Sequence, residues 1–236
     1  YDPQSGIVKA NGEVDIDLEA NTLGPVLPDQ QVPKELKNPI HLKTSGLVFN
    51  QKTGFAETRE KIQFEVPQAR GEALGAAYDS KSNVLTLQSN VKIETSGAQA
   101  TMIDARQGLI RKEPAEMTLE GVHVVQTTRT IDANKVNVHF RPNNEVESVV
   151  ATGDVQLAEK GKSDLSMRAP RAYLDVGQKN LIHRAVFSGG VQFEGRGKSA
   201  MNGTAGTLVL DFAGQNKLSH VRASDSVHLQ QTPEQD

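Results

Sequence analysis

The chain contains no cysteine and no tryptophan, and aromatic residues make up only 4% of it. Without cysteine there is neither a disulfide framework nor thiolate chemistry, and the redox compartment stays unread. A hydrophobic fraction of 36% across 236 residues fits a body with much surface per unit of interior rather than a thick globule. There is no basic excess, since the formal net charge is −3, which removes the electrostatic footprint of a nucleic-acid binder. No run approaches the roughly 18 consecutive apolar residues of a membrane-spanning helix. The first residue is Tyr1 and not Met; the expectation is a trimmed or processed chain from which a signal peptide or anchor has been removed.

What is present is repetition. Gly153-Asp154-Val155, Gly189-Gly190-Val191 and Ser226-Val227 fall in register at an offset of 36 residues. The same offset aligns Ala133, Ala169 and Ala205, then Val138, Leu174 and Leu210, then Asn144, Asn180 and Asn216. A fixed period of this length means stacked supersecondary units, each burying its apolar face on its neighbours. Within the units the apolar residues alternate: Val149, Ala151, Val155 and Leu157; Ala185, Phe187, Val191 and Phe193; Val221, Ala223, Val227 and Leu229. The frame recurs upstream at Leu85, Leu87, Val91 and Ile93, and at Val8, Ala10, Val14, Ile16 and Leu18. Period-2 alternation from end to end predicts an all-β chain.

Small residues interrupt the frame at one place, namely Gly12, Ser89, Gly153 and Gly189. Near residues 117–125 the frame slips, from Met117 and Leu119 to Val122 and Val124, which predicts a β-bulge at Glu120-Gly121. Turn residues punctuate the strands at 79–83, 141–144, 177–180 and 213–216. The best helical signal is a turn around Lys34-Glu35-Leu36, inside a stretch that holds Pro25, Pro28, Pro33 and Pro39.

Catalytic motifs are weak. Gly197-Lys198-Ser199 has Gln192 where a phosphate-binding loop needs glycine, and Gly161-Lys162-Ser163 repeats the triplet one unit earlier. The histidines (His41, His123, His139, His183, His220 and His228) lack zinc-ligand spacing, although strands can bring distant residues together. Asp175 and Asp211 recur in register, whereas a catalytic carboxylate pair would break the repeat. Neither a cofactor nor a metal is implied. The apolar face admits two readings: a plain filled core, or facing sheets that stay apart and leave a continuous groove for acyl chains.

One family resemblance accounts for the order of these patterns. The segment from Leu47-Val48-Phe49-Asn50 through "GEALGAAYD" (Gly71 to Asp79) to "LQSNVKI" (Leu87 to Ile93) resembles LptC, a component of lipopolysaccharide export. Arg168-Ala169-Pro170-Arg171-Ala172-Tyr173-Leu174-Asp175 followed by Ser188-Gly189-Gly190-Val191-Gln192-Phe193 is similar to the OstA-like repeats of LptA and of the periplasmic part of LptD. The resemblance covers roughly 41–95 and 117–230, and unlike a single-unit component it joins an LptC-like part to an LptA-like part.

The resemblance implies an elongated antiparallel β-jellyroll, a V-shaped taco without significant helix. An LptC-like part would span 1–96, with the Pro-rich excursion at 20–39. A continuous LptA-like part would span 97–236, with repeats near 126–161, 162–197 and 198–233. It further implies non-enzymatic binding and transfer of lipopolysaccharide acyl chains in the periplasm, with no nucleotide or metal cofactor. The acyl chains are expected against Ile62, Phe64, Leu85, Leu87, Val91, Ile93, Val155, Leu157, Phe187, Val191 and Phe193. Head groups are expected at a rim carrying Arg168, Arg171 and Arg184. Expected partners are lipopolysaccharide or lipid A and other transport components, joined by edge-strand pairing: the inner-membrane ABC transporter complex, the outer-membrane translocon, and a second copy end to end. An inner-membrane anchor would lie outside this chain. The alternative is a structural β-solenoid scaffold or adhesin with a closed, dry core; a polysaccharide-acting β-helix is a third reading.

Overall fold

The structure, a computed structural model, describes residues 4–19, 39–66, 69–96, 100–161, 164–178, 181–196, 199–214 and 217–233. The turn expected at Lys34-Glu35-Leu36 lies outside them. The first strands are β1 (Ile7–Glu19), β2 (Pro39–Asn50), β3 (Phe55–Val66), β4 (Ala69–Asp79) and β5 (Val84–Thr95). Then come β6 (Met102–Ala105), β7 (Gln107–Arg111), β8 (Glu116–Val125), β9 (Arg129–Phe140) and β10 (Val146–Glu159). The last are β11 (Asp164–Val176), β12 (Ile182–Arg196), β13 (Ser199–Ala213), β14 (Lys217–Ser224) and β15 (His228–Pro233).

All belong to one 15-stranded sheet in which sequence neighbours pair, and each pairing is antiparallel. β6 and β7 act as one interrupted strand between β5 and β8, and β14 and β15 both lie along β13. Hydrogen bonding continues across residue 96, because β5 pairs with both β6 and β7. This consecutive antiparallel meander is the expected jellyroll type, and it differs from a parallel β-helix, whose strands join by crossovers.

Most strands change direction near their midpoints. β10 carries one residue more than β11 between Thr152 and Val155, where Gly153 and Asp154 have φ of 75° and 54°. β12 does the same between Ser188 and Val191, with Gly189 and Gly190 at 91° and 98°. β5 does it at Asn90, φ 51°, and β1 between Ala10 and Glu13. An inserted residue bends its strand and sharpens the local twist. The bulges line up across the sheet, so they fold it along one crease into two leaves.

β8 departs from the expectation. Its side chains do change face around Gly121, φ 61°, with Leu119 and Val122 both buried. Yet Glu120 pairs with Lys135 and Val122 with Ala133 without a register shift. The left-handed residue turns the strand while β9 changes face at the same level, so no extra residue is needed.

The inner faces meet beside the crease. Leu87 and Val91, on either side of the bend of β5, are both 0% exposed, which a single layer could not achieve. Leu119, Val155 and Val191 are among the other fully buried side chains. Full burial of each such group contributes about 1.5–3 kcal/mol. The repeated alanines serve this packing: Ala133, Ala169 and Ala205 register on Val122, Val155 and Val191, alternating small with large across the second leaf. The outer faces are laced by exposed cross-strand ion pairs such as Lys61–Glu72 at 2.5 Å, Arg70–Glu94 at 2.7 Å and Arg184–Asp211 at 2.7 Å. Individually these contribute little, but alternating charges suppress wrong registers.

Candidate functional site

Moving away from the crease, each leaf presents a second inner row. On the first leaf it starts at Val8 and Phe49, passes Leu85, Ile110, Val149 and Ala185, and ends at Val221. On the second leaf it starts at Ile16 and Leu42, passes Phe64, Ile93, Leu157 and Phe193, and ends at Leu229. Each member registers directly on the next, and every position is an apolar side chain, a tyrosine or a glycine. Gly71 and Gly203 are required by close approach. A Cβ there would lie 2.2 Å from the Phe64 ring and 2.5 Å from the Phe193 ring, and within 2.7 Å of a backbone carbonyl. Each phenylalanine thus covers its cross-strand glycine.

Burial grades with distance from the crease. Ile62, Leu87, Val91, Val155, Phe187 and Val191 are 0–4% exposed and form the floor of the interior. Phe64, Leu85, Leu157 and Phe193 are half-buried and pack on that floor; Ile93, in the same outer row, is 6% exposed. The eleven apolar residues singled out in the sequence therefore share one interior. Six of them are its filled base; the other five face the opening. At the C-terminal end both rows run out into solvent, with Val221 and Leu229 each 57% exposed. Sequence reading missed half of the outer rows, including Ile103, Ile110, Val124, Ile131 and Leu174, because their strands lack a continuous alternating frame.

The three arginines lie elsewhere. Arg168 and Arg184 point to the outer face and are ion-paired with Asp154 at 2.6 Å and Asp211 at 2.7 Å. Arg171 is exposed beside the crease. Asp175 and Asp211 register on either side of Arg184. The hydrogen bond from Arg184 holds the Asp211 carboxyl below its usual range, against a smaller opposing effect of burial. An ionised, ion-paired carboxylate is a poor general acid. His123 lies 2.7 Å from Asp132, and among the described residues no three potential metal ligands converge. Of two concavities, of about 880 and 360 Å³, the larger is lined by outward polar residues such as Gln156 and Gln192 together with inner-row Leu157, Met167, Phe193 and Leu229.

Fold and site together define a class: a bent antiparallel sheet whose facing leaves enclose a graded apolar interior running from edge to edge. Residues 26–96 match the family described as lipopolysaccharide-assembly, LptC-related. Residues 102–205 match the LptA/(LptD N-terminal domain) LPS transport protein family. No curated protein matches the chain. The chain is a protein of the lipopolysaccharide-transport (OstA-like) family, with an LptC-like part followed by an LptA-like part. Its role lies in lipopolysaccharide transport across the periplasm.

Proposed function

We propose that the two leaves hold lipopolysaccharide acyl chains between their outer inner-face rows and pass them along the sheet as a non-enzymatic bridge element. The observation that carries this reading is the pair of continuous rows, apolar apart from a tyrosine and glycines, that run from β1 to the C-terminal edge over a filled floor, with Phe64, Leu85, Leu157 and Phe193 half-buried beside the opening. Each methylene withdrawn from water there contributes about 0.8 kcal/mol. Consecutive rungs lie about 4.8 Å apart, so a chain can advance by small steps without meeting a polar barrier. A dry scaffold needs the filled floor but gives no reason for open rows above it.

Site-specific photocrosslinking to lipid A, scanned along residues 85–93 and 185–193, tests the reading. Crosslinks are expected at odd positions, strongest at Leu85 and Phe193 and weak at Leu87 and Val191. A folded protein with no crosslink at either parity rejects the groove in favour of a closed scaffold.

Transfer requires neighbours, and among the described residues the sheet has an edge at each end: β1 pairs only with β2, and β14 and β15 only with β13. Such edges take up a partner strand through backbone hydrogen bonds. Components on the inner- and outer-membrane sides, or a second copy end to end, would continue the rows that end at Val8, Ile16, Val221 and Leu229. Deleting residues 216–236 removes two strands with mostly exposed side chains. The expected outcome is loss of partner docking, with a thermal midpoint only slightly lowered. Docking equal to that of the full chain would place the contact elsewhere.

A further inference from the structure

Beyond the outer rows, each leaf ends in a third inner row that forms its lip. On the first leaf Phe140, Val176 and Phe212 lie two residues outward of Val138, Leu174 and Leu210. Phe140 and Phe212 pack on the core and Val176 is 4% exposed, so this lip is apolar and turns inward. The second leaf differs. Thr95, Arg129 and Glu159 lie two residues, or about 7 Å, outward of Ile93, Ile131 and Leu157 on the same strands. Strand parity therefore turns them to the inner side, and Thr101 and Gln126, at the ends of β6 and β8, complete a polar patch with them.

Hydrogen bonds join these five residues. The Thr95 hydroxyl oxygen accepts the Thr101 backbone N–H at 3.0 Å, and the Gln126 amide donates to the Thr101 hydroxyl at 3.0 Å. Gln126 and Arg129 exchange backbone hydrogen bonds across the β8–β9 turn. Arg129 and Glu159 are register partners; Nε lies 3.0 Å from one carboxylate oxygen and Nη2 donates to the other at 3.1 Å. Their side chains are 30% and 32% exposed. The repeat does not call for this pair. One unit later the same two positions hold Leu165 and Gly195, and two units later Met201 and Gln231, in continuous register with it. Leucines would fill such a half-buried place without desolvating charge, so packing does not explain the pair.

The patch holds unused hydrogen-bonding groups directly above an apolar row. Among the described residues, the Thr95 hydroxyl proton, the Gln126 side-chain carbonyl and both N–H groups of Arg129 Nη1 have no protein partner. Arg129 and Glu159 cancel each other's charge, so the pair adds donors and acceptors without a net charge. An acyl chain lying on Ile131 and Leu157 brings its ester or amide end to this height. Such linkages are uncharged; both accept through the carbonyl, and the amide also donates through N–H. We infer that this lip binds the ester and amide linkages through which lipopolysaccharide acyl chains join their sugar. The polar side of the lipid then leaves the interior over the second leaf, between β5 and β10, and not over the apolar first-leaf lip. The inference rests on the groove reading given above.

The test titrates the full chain with lipid A and with N-phenyl-1-naphthylamine, an apolar dye that has neither ester nor amide. Combining Arg129→Leu with Glu159→Leu is expected to weaken lipid A about tenfold, the loss of two ordinary hydrogen bonds. Dye affinity and the thermal midpoint should not fall. Gln126→Ala, which spares the ion pair, is expected to weaken lipid A about threefold, one such bond. The infrared ester carbonyl band of bound lipid A should lie at lower frequency on the unmodified chain than on the double variant. Lipid A affinity unchanged in both variants, or dye and lipid A weakened alike, would overturn the inference while sparing the groove. If neither probe binds the unmodified chain, the groove reading falls and this inference with it.

Discussion

Phe187→Ala is expected to lower the free energy of unfolding by about 3–5 kcal/mol, whereas Phe193→Ala, six residues further along β12, should cost less than half of that. Phe187 is 4% exposed and stands in the deep row between Ala172 and Leu208. Its register partner Ala172 and Ala185, two residues earlier on its own strand, have little side chain with which to fill the space it would vacate, so a cavity would persist. Phe193 is half-buried, lies over Gly203 and borders the opening. Its removal uncovers a glycine and some apolar surface, but the opening can accommodate that loss.

Acyl-chain binding should show the reverse order. Phe193→Ala should reduce lipid A affinity several-fold at a temperature where both variants are folded, and Phe187→Ala should leave it near that of the unmodified chain. Denaturant unfolding and lipid titration on the two variants separate the roles. Equal effects of both substitutions on binding would mean that the interior acts as one undivided core, contrary to the graded arrangement.

The sequence displayed the strands that carry an inserted residue far better than the others. In β10 the bulge at Gly153-Asp154 adds one residue at the crease, so Ala151 and Val155 keep the same parity on either side of it. The same holds for Phe187 and Val191 in β12, and for Leu87 and Val91 in β5. These strands read as single uninterrupted frames. Their neighbours turn the corner without an insertion, so the inward parity changes: Ala169 gives way to Ala172 in β11, and Ala205 to Leu208 in β13, all of them buried. A strand that changes parity halfway looks, in one dimension, like two short strands or a loop.

That is why one half of each apolar row forms a continuous frame in the sequence, while Ile131 and Leu174 belong to no such frame. The slip at Leu119–Val122 is not a bulge but one instance of a general pattern: parity change is the rule for strands without an insertion. The three arginines pose a different question. A rim is a three-dimensional feature, and repeat position alone does not tell an outward residue beside the crease from one at a strand end. Arg168 and Arg184 lie on outer faces, where cross-strand pairing with Asp154 and Asp211 determines their partners.

Combining Gly189→Val with Gly190→Val is expected to cost about 2–6 kcal/mol, since each β-branched residue would be held in a backbone region that costs it about 1–3 kcal/mol. The φ values of 91° and 98° lie in territory that glycine occupies freely and valine does not. Space is not the obstacle at position 190. A Cβ at Gly190 meets nothing within 4 Å, and one at Gly189 meets the Pro170 ring at 3.2 Å, so at position 190 the penalty is conformational. To relieve it, β12 must straighten at the crease, and its pairings with β11 and β13 hold only if those strands straighten too. The leaves would then splay in the C-terminal units, exposing Val191 and Phe187 together. Amide exchange should accelerate in β11–β13 and stay slow in β3–β5, because each strand contacts chiefly its two neighbours. Gly195→Ala is the control: its added Cβ meets nothing closer than 3.9 Å, and its effect should stay within about 0.5 kcal/mol. A double variant as stable as the control would show that the crease does not depend on these glycines, and that cross-strand pairing alone sets the angle between the leaves.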